Sequence, residues 1–226
     1  MSLTRVKNIT ADTVISTTTQ NQLRIENTAA NSLGSYMKIR DGNSTSGQHT
    51  WIGRSTHDTY LYANNADLGI KITGGSSGAG IVTKPNQPYF SVYVANVGGS
   101  GNPSSGAAED VVPFDAAEFN VGNHFNTSTY RFTAPVDGVY QFNWNLSIYQ
   151  VAVGSWVRQR AYKNGSSYKI FEYKYSQSAA DQHFASSFAF KLDQNDYIEF
   201  KANSSDANFT YSAGALWNTC TGYLLG

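Results

Sequence analysis

The segment from residue 140 to residue 148 alternates between large apolar and polar side chains. One side of an extended chain here carries Tyr140, Phe142, Trp144, Leu146 and Ile148. The other side carries Gln141, Asn143, Asn145 and Ser147. A period of two residues predicts a β-strand with one buried face and one face that meets water or another subunit. Pro135 and the turn pair Asp137-Gly138 mark where this strand begins.

The same pattern predicts further strands in the second half of the chain. Asn164-Gly165 lies between two apolar runs, residues 156–162 and 167–175, and an Asn-Gly pair in that position predicts a tight hairpin. Two later segments also place apolar residues on one face; they are Phe184, Phe188, Phe190 and Leu192, followed by Ile198, Phe200 and Ala202. Helical periodicity is absent from this region. The pattern therefore predicts an all-β sandwich of two sheets.

The first 83 residues have a weaker pattern. Short strands are predicted at residues 22–27, 35–40, 50–53, 59–63 and 68–72, separated by clusters of Gly, Asn, Ser and Asp. These strands are too short and too polar to bury a conventional core, so we expect the sheet to complete itself against sister chains. Residues 74–80 (GGSSGAG) have the composition of a flexible linker. We therefore predict a β-rich, stalk-like region over residues 1–83 and a head over residues 84–226.

The head contains several motifs in a fixed order. They are residues 112–114 (VPF), 120–125 (NVGNHF), 132–142 (FTAPVDGVYQF), 190–196 (FKLDQND) and 221–225 (TGYLL). In type and spacing these residues resemble the globular head of complement component 1q, a relative of the tumour necrosis factor jelly roll. The resemblance covers roughly residues 84–226 and implies a ten-strand jelly roll that assembles as a compact homotrimer.

Aromatic residues near the predicted strand edges also favour assembly. They are Tyr149, Trp156, Tyr162, Tyr168, Tyr173, Tyr175, Tyr211, Trp217 and Tyr223. One sandwich cannot enclose all of them, and a large exposed aromatic surface usually marks an interface or a ligand site.

Composition narrows the classes of partner. The 226-residue chain has 16 basic and 16 acidic residues, so bulk charge predicts neither a nucleic-acid partner nor insertion at an anionic membrane. No segment approaches the apolar length of a membrane span. The single cysteine, Cys220, rules out a disulfide within one chain, and we expect it to be a small buried apolar residue.

Catalytic motifs are missing from the sequence. The four histidines are His49, His57, His124 and His183, and none stands in a nucleophile–base or metal-ligand pattern. We therefore predict a protein that is not an enzyme and needs no cofactor. Calcium is the one ion with candidate ligands, Asp41 and Asn43 in a loop, where an Asx-turn is the competing explanation.

The segment from residue 168 to residue 183 combines aromatic rings with polar side chains. Its candidate ligand-binding residues are Tyr173, Tyr175, Gln177, Asp181 and His183. Sugars are held by aromatic stacking together with hydrogen bonds, so this mixture is typical of a glycan site. The competing explanation is that the tyrosines pack across a subunit interface.

Taken together, the sequence looks like the end of a viral tail fibre. A low-charge β stalk, a glycine linker and a trimeric knob predict a receptor-binding head that recognises a glycan or protein on a bacterial surface. Three copies on one axis would strengthen weak binding through multivalency. The alternatives are a structural surface trimer without a specific ligand and a cytokine-like soluble ligand. The expected location is the virion, outside the cell, or otherwise a secreted or cell-surface position.

Overall fold

The computed structural model describes residues 35–39, 50–55, 58–63, 68–73, 80–96, 109–178, 180–206, 210–212 and 214–226. Every regular element in these ranges is a β-strand. The contacts divide the chain into residues 1–85 and residues 86–226. The strand predicted at residues 22–27 and the first six residues of the predicted linker, 74–79, lie outside the described residues.

The N-terminal unit contains an antiparallel meander of five strands in sequential order. The strands are β1 (Ser35–Ile39), β2 (Thr50–Ser55), β3 (Asp58–Ala63), β4 (Leu68–Thr73) and β5 (Ile81–Thr83). The first four confirm the strands predicted at residues 35–40, 50–53, 59–63 and 68–72.

One face of this meander carries apolar side chains that are only partly buried. Ile52, Leu61 and Ile70 are directly paired across three strands, so they point to the same side. Ile52 is 40% exposed and Leu61 is 37% exposed. None of the described side chains of this sheet is fully buried. Within the described residues the meander therefore has no core of its own.

The C-terminal unit is a sandwich of two antiparallel sheets. Its strands are β6 (Tyr89–Tyr93), β7 (Asp110–Val111), β8 (Ala116–Val121), β9 (Phe125–Asn126), β10 (Arg131–Thr133), β11 (Gly138–Val151), β12 (Trp156–Lys163), β13 (Ser166–Tyr175), β14 (Ala180–Leu192), β15 (Tyr197–Ser204), β16 (Thr210–Tyr211) and β17 (Thr219–Leu224). The β11 sheet has the order β14-β11-β17-β6-β8, and the β12 sheet has the order β13-β12-β15-β10-β9. Short β16 and β7 pair beside β11 and β15. Each sheet therefore has six strands, and the ten strands on the two main paths confirm the predicted all-β jelly-roll sandwich.

The core between the sheets is built from the alternating positions. Tyr140, Phe142, Trp144, Leu146 and Ile148 are all buried, which confirms the prediction for this strand. Phe200 of β15 joins the two sheets, because its ring centre lies 5.4 Å from that of Trp144 and 5.7 Å from that of Phe142. Cys220 is buried and free, and its burial raises the pKa of the thiol.

Two of the sequence motifs have a direct structural reason. The Asn120 amide donates to the Phe125 carbonyl at 2.7 Å and accepts from the Phe125 N–H at 3.2 Å. These two bonds close a turn in which Gly122 has a φ of 78°, a conformation that favours glycine. In the closing motif, a Cβ on Gly222 would lie 2.5 Å from the ring of Phe90, so glycine lets β17 pack against the core.

Candidate functional site

The five candidate ligand-binding residues lie on two faces of the sandwich. Tyr173 and Tyr175 point outward from β13 of the β12 sheet, and Gln177 is exposed in the turn that follows. Asp181 and His183 alternate with the buried residues of β14, so they point outward from the β11 sheet. Since the two sheets pack face to face, these outward faces are on opposite sides. The fold brings the tyrosines together and separates them from Asp181 and His183.

Tyr173 and Tyr175 form an ordered surface with Trp156, which we call the aromatic platform. Trp156 of β12 is paired directly with Tyr175, and its ring is stacked on Tyr173 with centres 5.5 Å apart and planes at 18°. The two tyrosine rings are 5.5 Å apart and nearly perpendicular, with their hydroxyls at 3.4 Å. Tyr173 is 48% exposed and Tyr175 is 54% exposed. Paired strands therefore hold three rings at the surface in fixed orientations.

An arginine extends the aromatic platform. The guanidinium carbon of Arg158 lies 5.3 Å from the centre of the Trp156 ring, which is cation–π distance. Its Nη2 is 2.6 Å from Oε1 of Glu109, and its Nε donates to Oδ1 of Asn203 at 3.2 Å. Glu109 also contacts Arg160 at 3.1 Å and accepts a hydrogen bond from the Tyr162 hydroxyl. Glu109 therefore holds both arginines in place beside the platform.

The electrostatics keep the phenols protonated. The hydrogen bond between the Tyr173 and Tyr175 hydroxyls is the main cause that raises the pKa of Tyr173. Burial, followed by the hydrogen bond to Glu109, raises the pKa of Tyr162. At neutral pH the hydroxyls of Tyr173 and Tyr162 therefore remain donors as well as acceptors.

His183 lies at a separate, shallow cleft on the β11 sheet. The cleft has a volume of about 320 Å³ and is lined by Asn145, Leu146, His183, Phe184, Ala185, Leu216 and Trp217. The rings of His183 and Trp217 are stacked at 5.9 Å, and the neighbouring Leu216 is 91% exposed. An exposed leucine and tryptophan on one loop are typical of a surface that another chain covers.

Beyond this cleft, the outward face of the β11 sheet is polar. Its central strands, β11 and β17, carry no charged side chain on this face. Ser187 accepts from the Gln141 amide and donates to Asn143, each at 2.9 Å. Asn143 in turn donates to Thr221 at 3.2 Å. Because these side chains satisfy one another, covering them costs less free energy than covering unpaired polar groups.

The described residues contain neither a cluster of metal ligands nor a helix that could span a membrane. Asp41 and Asn43, the calcium candidates, lie outside the described residues. Among the described residues, no three His, Cys, Asp or Glu side chains come close enough together to hold a metal ion. The described part of the chain likewise contains no helix with the length and apolarity of a membrane span.

The structure adds three residues, Trp156, Arg158 and Glu109, to the candidate site formed by Tyr173 and Tyr175. The sequence pattern identifies Trp156 only as one of the aromatic residues that a single sandwich cannot enclose, and it does not single out Arg158 or Glu109. The Asn164-Gly165 hairpin pairs β12 with β13 and was the one sequence feature that could have placed Trp156 beside the tyrosines. Glu109 is distant in the sequence from Arg158 and the tyrosines, so a local sequence pattern does not predict that it lies beside them.

Comparison with known proteins identifies the family. The C1q domain matches residues 95–225, which is more than half of the chain. The chain belongs to the C1q family. C1q domains are recognition or structural domains rather than enzymes, and heads of the C1q and tumour necrosis factor type form homotrimers. Proteins with C1q domains are extracellular or secreted.

Individual relatives are distant. The chain is 27% identical to the mouse (Mus musculus) collagen alpha-1(X) chain over 114 residues, which is 50% of this chain but only 16% of that protein. The globular domain of zebrafish complement 1qA is 18% identical, with 62% of this chain and 98% of that chain covered at a TM-score of 0.44. Murine APRIL is 14% identical, with 62% and 99% covered at a TM-score of 0.47.

Proposed function

We propose that this chain is the receptor-binding head of a trimeric viral tail fibre that recognises a glycan or protein on a bacterial surface. The observation that carries the proposal is the aromatic platform. Two exposed tyrosines and the half-buried Trp156 lie on paired strands, with Trp156 stacked on Tyr173 and the two tyrosine hydroxyls within hydrogen-bond distance, in a family of recognition and structural domains. Rings held in this way bind a ligand without a large loss of side-chain entropy.

Trimer formation is proposed through the outward face of the β11 sheet. Its central strands carry no charge, and its polar side chains are already paired within the chain. Exposed Tyr89, Phe119 and Tyr223 add apolar surface on the same sheet. This leaves the aromatic platform, on the opposite face, open to a receptor in each of three copies.

The N-terminal meander supports the stalk in this proposal. Its apolar face, with Ile52 and Leu61, needs a covering partner, and sister chains of a trimer supply one with the same chemistry. We therefore propose that residues 1–83 form a three-chain stalk and residues 84–226 form the head. The expected location is the virion, with a secreted or cell-surface position as the alternative.

The decisive experiment measures binding of the full-length, labelled protein to a panel of bacterial strains and to a glycan array. The double variant Tyr173→Ala/Tyr175→Ala should lose binding by about tenfold or more, because central aromatic anchors dominate recognition surfaces. Tyr168→Ala is the matched control. It removes a ring from the same strand, but that ring packs against Phe190 at 4.9 Å and does not belong to the platform.

Each outcome has a distinct meaning. Unchanged binding of the double variant would remove the aromatic platform from the receptor site. Loss of the trimer would assign the two tyrosines to a subunit interface. A well-formed wild-type trimer that binds no strain and no glycan would reject adhesion and favour the structural alternative.

A further inference from the structure

Charged side chains continue across the same outward face of the β12 sheet. Strand pairing places Tyr173 beside Arg158, Arg160 beside Lys201, and Glu199 beside Arg131. Directly paired residues have Cβ atoms about 5 Å apart, so these rows form one continuous surface. We call Arg131, Arg158, Arg160 and Lys201 the cationic rows.

The acidic partners of the cationic rows lie beneath them. The side chains of Glu109 and Glu199 are only 5% and 3% exposed, whereas those of Arg158 and Arg160 are 20%, that of Lys201 is 18% and that of Arg131 is 42% exposed. Arg131 contacts Glu199 at 2.8 Å, and Lys201 contacts its other oxygen at 3.6 Å. The carboxylates thus fix the positions of the cations from below, and a ligand from solvent meets the cations first.

Aromatic rings support the cationic rows as well. The Lys201 ammonium lies 4.3 Å from the centre of the Tyr162 ring, and the Arg131 guanidinium lies 4.6 Å from that of Tyr197. Together with Arg158 on Trp156, three of the four cations stand over an aromatic face. The surface therefore alternates flat apolar rings with positive charge.

The local charge is not neutral. Among the described residues of this face, four cations stand against two carboxylates, which leaves an excess of two positive charges. The whole chain has a formal net charge of zero, so this excess is a property of the face and not of the protein. At physiological salt, charge attracts a ligand mainly within about 8 Å, so only a ligand that touches the face benefits.

We infer that the ligand of this face is an acidic polysaccharide, whose sugar rings pack on the aromatic platform and whose carboxylates contact the cationic rows. The inference rests on the proposed receptor-binding function and specifies its ligand class. A neutral glycan would pack on the rings of the aromatic platform but would leave the cationic rows without an anionic partner. A nucleic acid would contact the cationic rows without requiring the aromatic platform.

The test compares three probes of similar length against the full-length protein: polygalacturonate, neutral dextran and a single-stranded DNA oligonucleotide. We expect binding to polygalacturonate above both others, weakened about three- to tenfold when salt rises from about 50 to about 200 mM. Arg131→Gln and Lys201→Gln should each weaken polygalacturonate binding about threefold, as expected for one partly exposed charge. Each variant leaves Glu199 one of its two partners, so the fold is retained.

Lys84→Gln is the charge-matched control, since Lys84 is exposed in the N-terminal unit and should have no effect. Equal binding of dextran or of DNA would overturn the inference, as would equal loss in the Lys84→Gln control. Strain binding that persists in Arg131→Gln and resists competition by polygalacturonate would leave the receptor-binding proposal standing and reject the acidic ligand. A wild-type protein that binds polygalacturonate but no strain would reject the receptor role alone.

Discussion

Asp196 shows at the scale of one residue why a family motif ends in an acid. Its Oδ1 accepts from the Asn164 amide at 2.6 Å, and its Oδ2 accepts from the Asp193 N–H at 2.8 Å. The Lys163 ammonium lies 2.6 Å from the same Oδ2. One carboxylate therefore joins the turn before β15 to the Asn164-Gly165 hairpin. The hydrogen bond from Lys163 is the main cause that lowers the pKa of the Asp196 carboxyl to about 2.

This pKa predicts a specific loss of stability in acid. The carboxyl titrates at about 2 in the folded chain, against 3.8 as its ordinary value, so its contribution is complete above about pH 4 and disappears as the pH falls to about 2. Asp196→Asn should therefore flatten the fall of Tm over that window. Thermal unfolding at steps from about pH 5 to about pH 2 measures it.

Asp181→Asn is the matched control for that experiment, because Asp181 is exposed on the outward face of the β11 sheet. Its pH profile should follow the wild type. Parallel profiles for all three proteins would show that the Asp196 carboxylate does not stabilise the head.

At the scale of elements, the β12–β13 hairpin positions the aromatic platform by means of two irregularities. The Asn164-Gly165 turn starts the register with Lys163 opposite Ser166. Two register shifts follow, between Ala161 and Tyr162 and between Gln159 and Arg160. Each shift adds one residue to β13, so Trp156 lies opposite Tyr175 instead of Tyr173. The diagonal stacking of Trp156 on Tyr173 depends on these bulges.

The connection between β16 and β17 depends on a buried amide. Asn218 is fully buried; its Oδ1 accepts from the Ser147 N–H at 2.6 Å, and its Nδ2 donates to the Ser147 carbonyl at 2.9 Å and to the Ser212 carbonyl. The amide thus replaces strand pairing where β17 has not yet begun, and it anchors the loop that carries Leu216 and Trp217.

Asn218→Ala should destabilise the head by about 2–4 kcal/mol, because it removes the side-chain partner of the buried Ser147 N–H and a donor to the Ser147 and Ser212 carbonyls. Urea unfolding at matched protein concentration measures the change. Asn96→Ala is the control: Asn96 is exposed and bonds to Asp115 at 2.8 Å, so the cost should stay within about 0.5 kcal/mol. Equal losses in the two variants would contradict the anchoring role.

For the whole molecule, the two outward faces of the sandwich differ in chemistry. The β11 sheet presents paired amides and hydroxyls without charge on its central strands, and the β12 sheet presents cations and aromatic rings. A threefold assembly through the first face would leave three copies of the second exposed. Multivalent binding then follows from geometry, since each copy raises the effective concentration of the others.

Asn143→Lys tests this assembly. Three lysines brought together on a buried face carry a desolvation cost without a partner, so the trimer should dissociate to a folded monomer. Sedimentation velocity at micromolar concentration measures the state of association. Ser128→Lys, on an exposed turn, should remain trimeric. A wild type that sediments as a monomer, or an Asn143→Lys variant that stays trimeric, would reject the proposed interface.

The fold class followed from local pattern, because burial of one face forces alternation along a strand. The alternation from Tyr140 to Ile148 and the Asn164-Gly165 turn predict an all-β sandwich, and the resemblance of the spaced motifs to the complement 1q head implies its jelly-roll type. The placement of the candidate residues did not follow. Tyr173 and His183 are ten positions apart in sequence yet lie on opposite faces, because β13 and β14 belong to different sheets. The bulges of β13 and the contact of Arg158 with the distant Glu109 position the aromatic platform, and both arise from long-range packing that a local sequence pattern does not encode.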